Sequence, residues 1–230
     1  MTDATTDTMT DAMKDDPLTL SPEAIETLFT RSDDQYLFAR WGRAIAPVIF
    51  GVDDPTIATI KGAFEAVVAL AGHTLTETDP ELGANCMVFF CRDWNELAEV
   101  PNLDRLIDGL GPLVARLEAA DANQYRVFRF DAAGAIRACF IFIRMDEEMS
   151  QLPAETLALG QVVQSVLLWS DRAFTDRSAL GQLEDGRVVL RPDIAGLIRA
   201  AYDPVLPDVA QDASHALRLH ARMIAAPPAA

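Results

Sequence analysis

The side chains most able to mark a catalytic centre lie in the segment GQVVQ, within a predicted apolar helix over residues 153–169. Side chains four residues apart share a helix face. Zinc hydrolases use this spacing to bring two histidines to one ion, with a glutamate between them as general base. Here Gly160 and Gln164 stand at the ligand positions and Gln161 at the position of the base. An amide neither binds zinc tightly nor takes a proton from water, so the pattern predicts no metal and no catalytic residue here.

The same helix is the candidate for a ligand pocket. We expect Gln161 and Gln164 to line such a pocket, because amides that face a core need hydrogen-bond partners. Trp169 or Trp41 is expected to form a wall, and Asp171 follows at the end of the segment. The alternative is that both amides face solvent. The sequence leaves this open, because the predicted helix is apolar on much of its circumference.

The three histidines predict no metal site elsewhere. His215 and His220 are five residues apart on one predicted helix, which places them about 140° apart around its axis, so they diverge. His73 follows a glycine at a predicted helix end, where the helix dipole favours a partly cationic ring. We interpret all three as structural and predict no bound cofactor.

Acidic side chains leave one catalytic alternative open. Asp146 and Glu147 lie at a predicted strand end, where they could bind a cation or act as an acid/base pair, and Asp171 lies in a later loop. Solvated charge is the simpler interpretation. The sequence contains no dinucleotide-binding, phosphate-loop or serine-hydrolase motif.

The three cysteines are predicted to be reduced and structural, because each lies in or beside an apolar, strand-like run. Cys86 and Cys91 are five apart on one predicted strand, so they point to opposite faces and cannot form a redox pair. Cys91 and Cys139 could face each other across neighbouring strands.

Charge and composition exclude several partners. The chain of 230 residues carries 35 acidic and 19 basic residues, a net charge of -16, and half of its residues are apolar. The negative field would repel nucleic acid and anionic lipid headgroups. The first residues lack the basic and apolar regions of a secretory signal, so we expect a cytoplasmic protein.

The predicted elements give an α+β fold. The sequence predicts a first helix capped by Ser21, a strand at 43–52, a helix at 53–72 and a buried strand at 86–91. A hairpin around the turn DAAG at 131–134 and a last helix at about 207–224 are also predicted. We expect a mixed, largely antiparallel sheet of about five strands packed with helices. A single domain is predicted over residues 20–224, between a disordered acidic tail at 1–19 and a second disordered tail at 225–230.

Three segments together resemble a known family: residues 37–51, 160–171 and 193–207. They are similar to a family of uncharacterised alphaproteobacterial domains that are zincin-like in outline. The matching residues are Phe38, Arg40 and Trp41 in the first segment, Gln164 and Asp171 in the second, and Tyr202, Asp203, Pro204 and Pro207 in the third. The resemblance implies a mixed sheet packed by helices. The chain departs from the family at Gly160 and Gln161, where acids are expected, which implies that the metal-site motif is degenerate.

The leading hypothesis is therefore a soluble, cytoplasmic, non-catalytic binding or interaction module with a protein or small molecule as its partner. One alternative is a peptidase-like hydrolase that uses atypical acidic ligands such as Asp146, Glu147 or Asp171. Another is a small-molecule sensor with its pocket over the helix at 153–169.

Overall fold

The structure is a computed structural model that describes residues 19–225. The two predicted disordered tails lie outside these residues, except for Thr19 and Ala225, and Ala225 closes the last helix. Within the described range, no helix is both long enough and apolar enough to cross a membrane.

Helices and strands are interspersed along the described chain. The helices are α1 Pro22–Phe29, α2 Asp54–Leu70, α3 Glu96–Glu99, α4 Leu103–Leu106, α5 Leu110–Ala119, α6 Glu147–Gln151, α7 Ala154–Val163, α8 Pro192–Ala201 and α9 Ser214–Ala225. The strands are β1 Phe38–Ala39, β2 Pro47–Phe50, β3 Cys86–Cys91, β4 Gln124–Phe130, β5 Ile136–Arg144, β6 Leu180–Gln182, β7 Val188–Leu190 and β8 Val209–Ala210.

The principal sheet has the strand order β2-β3-β5-β4. The pairs β2/β3 and β3/β5 are parallel, whereas β5/β4 is the predicted antiparallel hairpin. The predicted α+β class with a mixed sheet is confirmed. This sheet has four strands rather than about five, and most of its pairings are parallel, because helical crossovers separate β2 from β3 and β3 from β5. Two small antiparallel sheets, β1/β8 and β6/β7, complete the strands.

Both faces of the principal sheet are covered, so the sheet separates two hydrophobic clusters. Along β5, Cys139, Ile141 and Ile143 face the larger cluster, which includes residues of α1, α2, α7, α8 and α9. The alternate residues of β5 face the smaller cluster, which α3–α5 cover. A strand that is buried on both faces reads as a continuous apolar run, as β5 does.

Local signals set several element boundaries. The Ser21 hydroxyl accepts a hydrogen bond from the Ala24 N–H (3.2 Å) and caps α1, as predicted. The carboxylate of Asp53 caps α2 in the same way. Each cap of this kind stabilises a helix by about 1 kcal/mol. In the hairpin turn, Gly134 adopts a φ of 88°, which glycine accepts without strain.

Two predicted helices are shorter than expected. Helix α7 ends at Val163 instead of continuing to Trp169, and the last helix begins at Ser214 instead of near residue 207. In both cases a segment that the sequence pattern predicts as helix instead pairs with a strand-like segment from the first part of the domain. Leu167 forms a β-bridge with Arg40, and β8 pairs with β1.

Candidate functional site

The three segments that carry the family resemblance meet in space, at a place we call the three-segment junction: Arg40, Trp41, residues 165–169 and Tyr202. The Trp41 indole N–H donates to the Ser165 carbonyl (2.9 Å), and the Tyr202 hydroxyl donates to the Val166 carbonyl (2.6 Å). These bonds satisfy carbonyls just beyond the end of α7. The junction therefore holds the chain extended where the sequence pattern predicts helix.

Arg40 completes the junction from the other side. Its guanidinium lies over the ring of Tyr202 (5.3 Å to the centroid) and pairs with the carboxylate of Asp208 (2.7 Å). Burial raises the pKa of the Tyr202 phenol well above its ordinary value, so the phenol stays protonated and acts as a hydrogen-bond donor. The described contacts at this junction connect the three segments to one another and so have a structural role.

Gln161, on the inner face of α7, lies over the sheet in a group that we call the Arg126 cluster: Gln124, Arg126 and Gln161. The side chain of Gln161 is only 6% exposed. Its amide N–H donates to the Gln124 side-chain oxygen (3.0 Å), and its amide oxygen accepts from the guanidinium of Arg126. Both polar groups of the Gln161 side chain therefore form hydrogen bonds with side chains of strand β4.

Arg126 is partly buried, with its Nε atom enclosed by the protein. Burial lowers the pKa of its guanidinium to about 10. No ion pair within residues 19–225 involves Arg126, and its Nε has no hydrogen-bond partner there. Two neutral amide oxygens, from Gln124 and Gln161, take the place of a carboxylate.

The other predicted pocket residues contact different elements. Trp169 stacks on Phe29 (5.3 Å between ring centroids) and donates its indole N–H to the Val163 carbonyl. Asp171 is exposed and accepts from the Ser32 N–H (2.9 Å), which lowers the pKa of its carboxyl group. Gln164 is half-buried at the C-terminal cap of α7. Gln161 is thus bonded to strand β4, whereas Trp169 and Asp171 both contact the segment at residues 29–32.

Acidic groups are likewise dispersed. Asp146 accepts from the Met149 N–H (2.8 Å) and caps α6, and Glu147 is exposed in the first turn of that helix. No group of three or more His, Cys, Asp or Glu side chains in the described part of the chain is placed to hold a metal ion.

The histidines occupy separate environments. His215 is buried, with its ring 4.5 Å from that of Phe38, and neither ring nitrogen has a partner among residues 19–225. His220 lies 2.8 Å from the Leu20 carbonyl through Nδ1, so the two side chains point to different segments, as predicted. His73 is bonded to the Arg43 carbonyl through Nε2 (2.8 Å).

The three cysteines are buried and free. The sequence left open whether Cys91 and Cys139 face each other, and the parallel register separates them by placing Cys139 beside Cys86 and Cys91 beside Arg144. Cys86 and Cys91 lie in the two different clusters, which confirms that they point to opposite faces. The neighbouring Cys139 thiol and burial raise the pKa of Cys86 well above its ordinary value, so the Cys86 thiol stays protonated.

A cleft that the sequence did not predict lies between α5 and β4, and we call it the α5–β4 cleft. It has a volume of about 350 Å³, and its polar lining includes Arg116, Tyr125 and Arg129. Strand β4 is an edge strand of the principal sheet, and residues 125, 127 and 129 alternate onto the face that α5 covers. The available signal was the alternation of Tyr125, Val127 and Arg129 in QYRVFRF, which places these three side chains on one face of the strand, opposite to Arg126.

Comparison of the chain with protein-family models, with curated proteins and with solved structures gives no match.

Proposed function

We propose that this protein is a non-catalytic binding module, zincin-like in outline, that works in the cytoplasm. The observation that carries the proposal is the engagement of Gln161 by Arg126. In a zinc hydrolase with the corresponding helix, this position would supply the general base. Here it holds an amide whose oxygen accepts from a guanidinium, an arrangement that cannot take a proton from water.

The concave surface of the α5–β4 cleft supports the binding part of the proposal. Ligand sites combine apolar walls with a few convergent polar groups, and this cleft has both. Its arginines contrast with the net charge of -16 for the whole chain. The partner is a small molecule or a protein, since nucleic acid and anionic membranes would meet a repulsive overall field. Three free, buried cysteines support a reducing compartment.

Metal content tests this proposal directly. The purified full chain is incubated with zinc, desalted and measured by elemental analysis, and casein hydrolysis is followed in parallel. We expect far less than one zinc per chain and no hydrolysis above the buffer rate. Gln151 is exposed at the end of α6, so Gln151→Leu provides a matched control for Gln161→Leu.

Stoichiometric zinc that is lost in Gln161→Leu and retained in Gln151→Leu would overturn the proposal. It would favour the hydrolase with atypical ligands instead.

A further inference from the structure

The cationic side chains of the α5–β4 cleft have little competition from carboxylates. Among the ion pairs of residues 19–225, none involves Arg116. Arg129 has only Asp108 at 3.8 Å, and the Asp108 side chain is 99% exposed. An exposed pair at this distance contributes little, so Asp108 leaves Arg129 available to an incoming anion.

The phenol of Tyr125 lies beside these charges. Arg116 donates to the Tyr125 hydroxyl (2.9 Å), and its guanidinium lies 5.4 Å from the centre of the Tyr125 ring. Because the hydroxyl accepts from Arg116, its own proton is available for donation to a ligand. Arg129 also donates to the Leu106 carbonyl (3.2 Å), which holds this side chain at the cleft. The polar lining thus provides two charged donors and one neutral donor, together with the exposed carboxylate of Asp108.

The rest of the lining is apolar. Ile107 and Leu113 are buried, and Val127 is partly buried against the smaller hydrophobic cluster. Gly109, which also lines the cleft, leaves open space where a side chain would stand. A bare inorganic ion would leave this apolar surface in contact with water, whereas a ligand with an apolar body would cover it.

We propose that the α5–β4 cleft binds a small organic carboxylate with an apolar body. The carboxylate lies between Arg116 and Arg129 and accepts from the Tyr125 hydroxyl, and the apolar body lies against Leu113 and Val127. Planar guanidinium groups match a carboxylate in geometry and charge. This inference rests on the proposed binding function and names the class of ligand for it.

Calorimetric titration of the full chain at low ionic strength tests the inference, with phenylacetate, neutral phenylacetamide and inorganic phosphate as probes. We expect phenylacetate to bind saturably with a Kd below about 1 mM, and the other two probes to bind at least about tenfold more weakly. Arg116→Gln and Arg129→Gln should each weaken phenylacetate binding about tenfold. Arg105→Gln removes the same charge from an exposed position on α4 outside the cleft lining, and should leave the affinity unchanged.

Three results would overturn this inference: no saturable binding of phenylacetate, equal binding of phosphate, or an equal loss of affinity in Arg105→Gln. Arg116 is exposed, so its variant keeps the test valid even if Arg129→Gln fails to fold. The zinc measurement is independent of these titrations. An absence of both zinc and phenylacetate binding would refute the ligand class alone, whereas bound zinc with intact phenylacetate binding would refute the non-catalytic function alone.

Discussion

The buried ring of His215 should make the domain sensitive to mild acid. Its side chain is 2% exposed, lies between the rings of Phe38 and Tyr36, and has no hydrogen-bond partner for either nitrogen within residues 19–225. Burial, and secondarily the nearby charge of Arg218, lowers the pKa of His215 from 6.5 to about 4. Protonation at this site would place a cation among aromatic rings without a counterion.

The sign and the magnitude follow from linkage between protonation and folding. The folded state binds the proton more weakly than the unfolded state, so His215 does not penalise folding above about pH 6.5 and opposes it increasingly as the pH falls towards 4. The full difference between the two pKa values corresponds to about 3 kcal/mol, of which about 2 kcal/mol is lost by about pH 5. Carboxylates with lowered pKa values, such as Asp171, lose their contribution mainly at more acidic pH.

Urea unfolding between pH 7 and pH 5, followed by circular dichroism, measures this loss. The wild-type protein should lose about 2 kcal/mol more stability over this range than His215→Leu, which has no titrating group at that position. His220→Leu is the matched control, because it replaces a second histidine of the same helix whose ring is hydrogen-bonded to the Leu20 carbonyl and is only partly buried. If wild type and His215→Leu showed the same pH dependence, the reasoning about this buried ring would be refuted.

Two further predictions concern the hydrogen bonds of α7 and of the three-segment junction. Gln161→Leu should lower the free energy of unfolding by about 1–3 kcal/mol, because it removes an amide oxygen from the buried guanidinium of Arg126. Gln161→Glu should stabilise relative to Gln161→Leu by giving that cation a carboxylate. Wild-type stability of the leucine variant in urea unfolding would mean that the amide is solvated. Tyr202→Phe should cost about 1–2 kcal/mol, because it leaves the buried Val166 carbonyl without its donor. Native-state hydrogen exchange should then show faster exchange of the Leu168 N–H, which bonds to the Ala39 carbonyl, and unchanged exchange there would contradict the role of the junction.

Several elements could be predicted from the sequence because their causes are local. The cap at Ser21, the apolar spacing of α2 and the continuous apolar run of β3 each act within a few turns or one strand. The turn at 131–134 likewise specifies the hairpin of β4 and β5 from adjacent residues. The opposite orientations of Cys86 and Cys91 follow from strand alternation alone.

The end of α7 could not be predicted in this way. Residues 164–169 are apolar enough to continue a helix. However, the carbonyls of Ser165 and Val166 accept hydrogen bonds from Trp41 and Tyr202, which lie far away in the chain. Tertiary contacts override a local preference whose free-energy difference is only a few tenths of a kcal/mol per residue. Trp169, the expected wall of the candidate pocket, therefore lies beyond the end of this helix and stacks on Phe29.

The amino-acid sequence by itself determined the α+β class, the main helices and strands, the acidic charge and the absence of imidazole or carboxylate at positions 160, 161 and 164. Only the tertiary structure decided that Gln161 meets Arg126, that Cys139 lies beside Cys86, and that two arginines share the α5–β4 cleft. Those contacts depend on strand register and on crossover connections, which bring together residues far apart in the chain. Trp41 and Ser165, for example, are 124 positions apart. Periodicity within a short window contains no information about such distances.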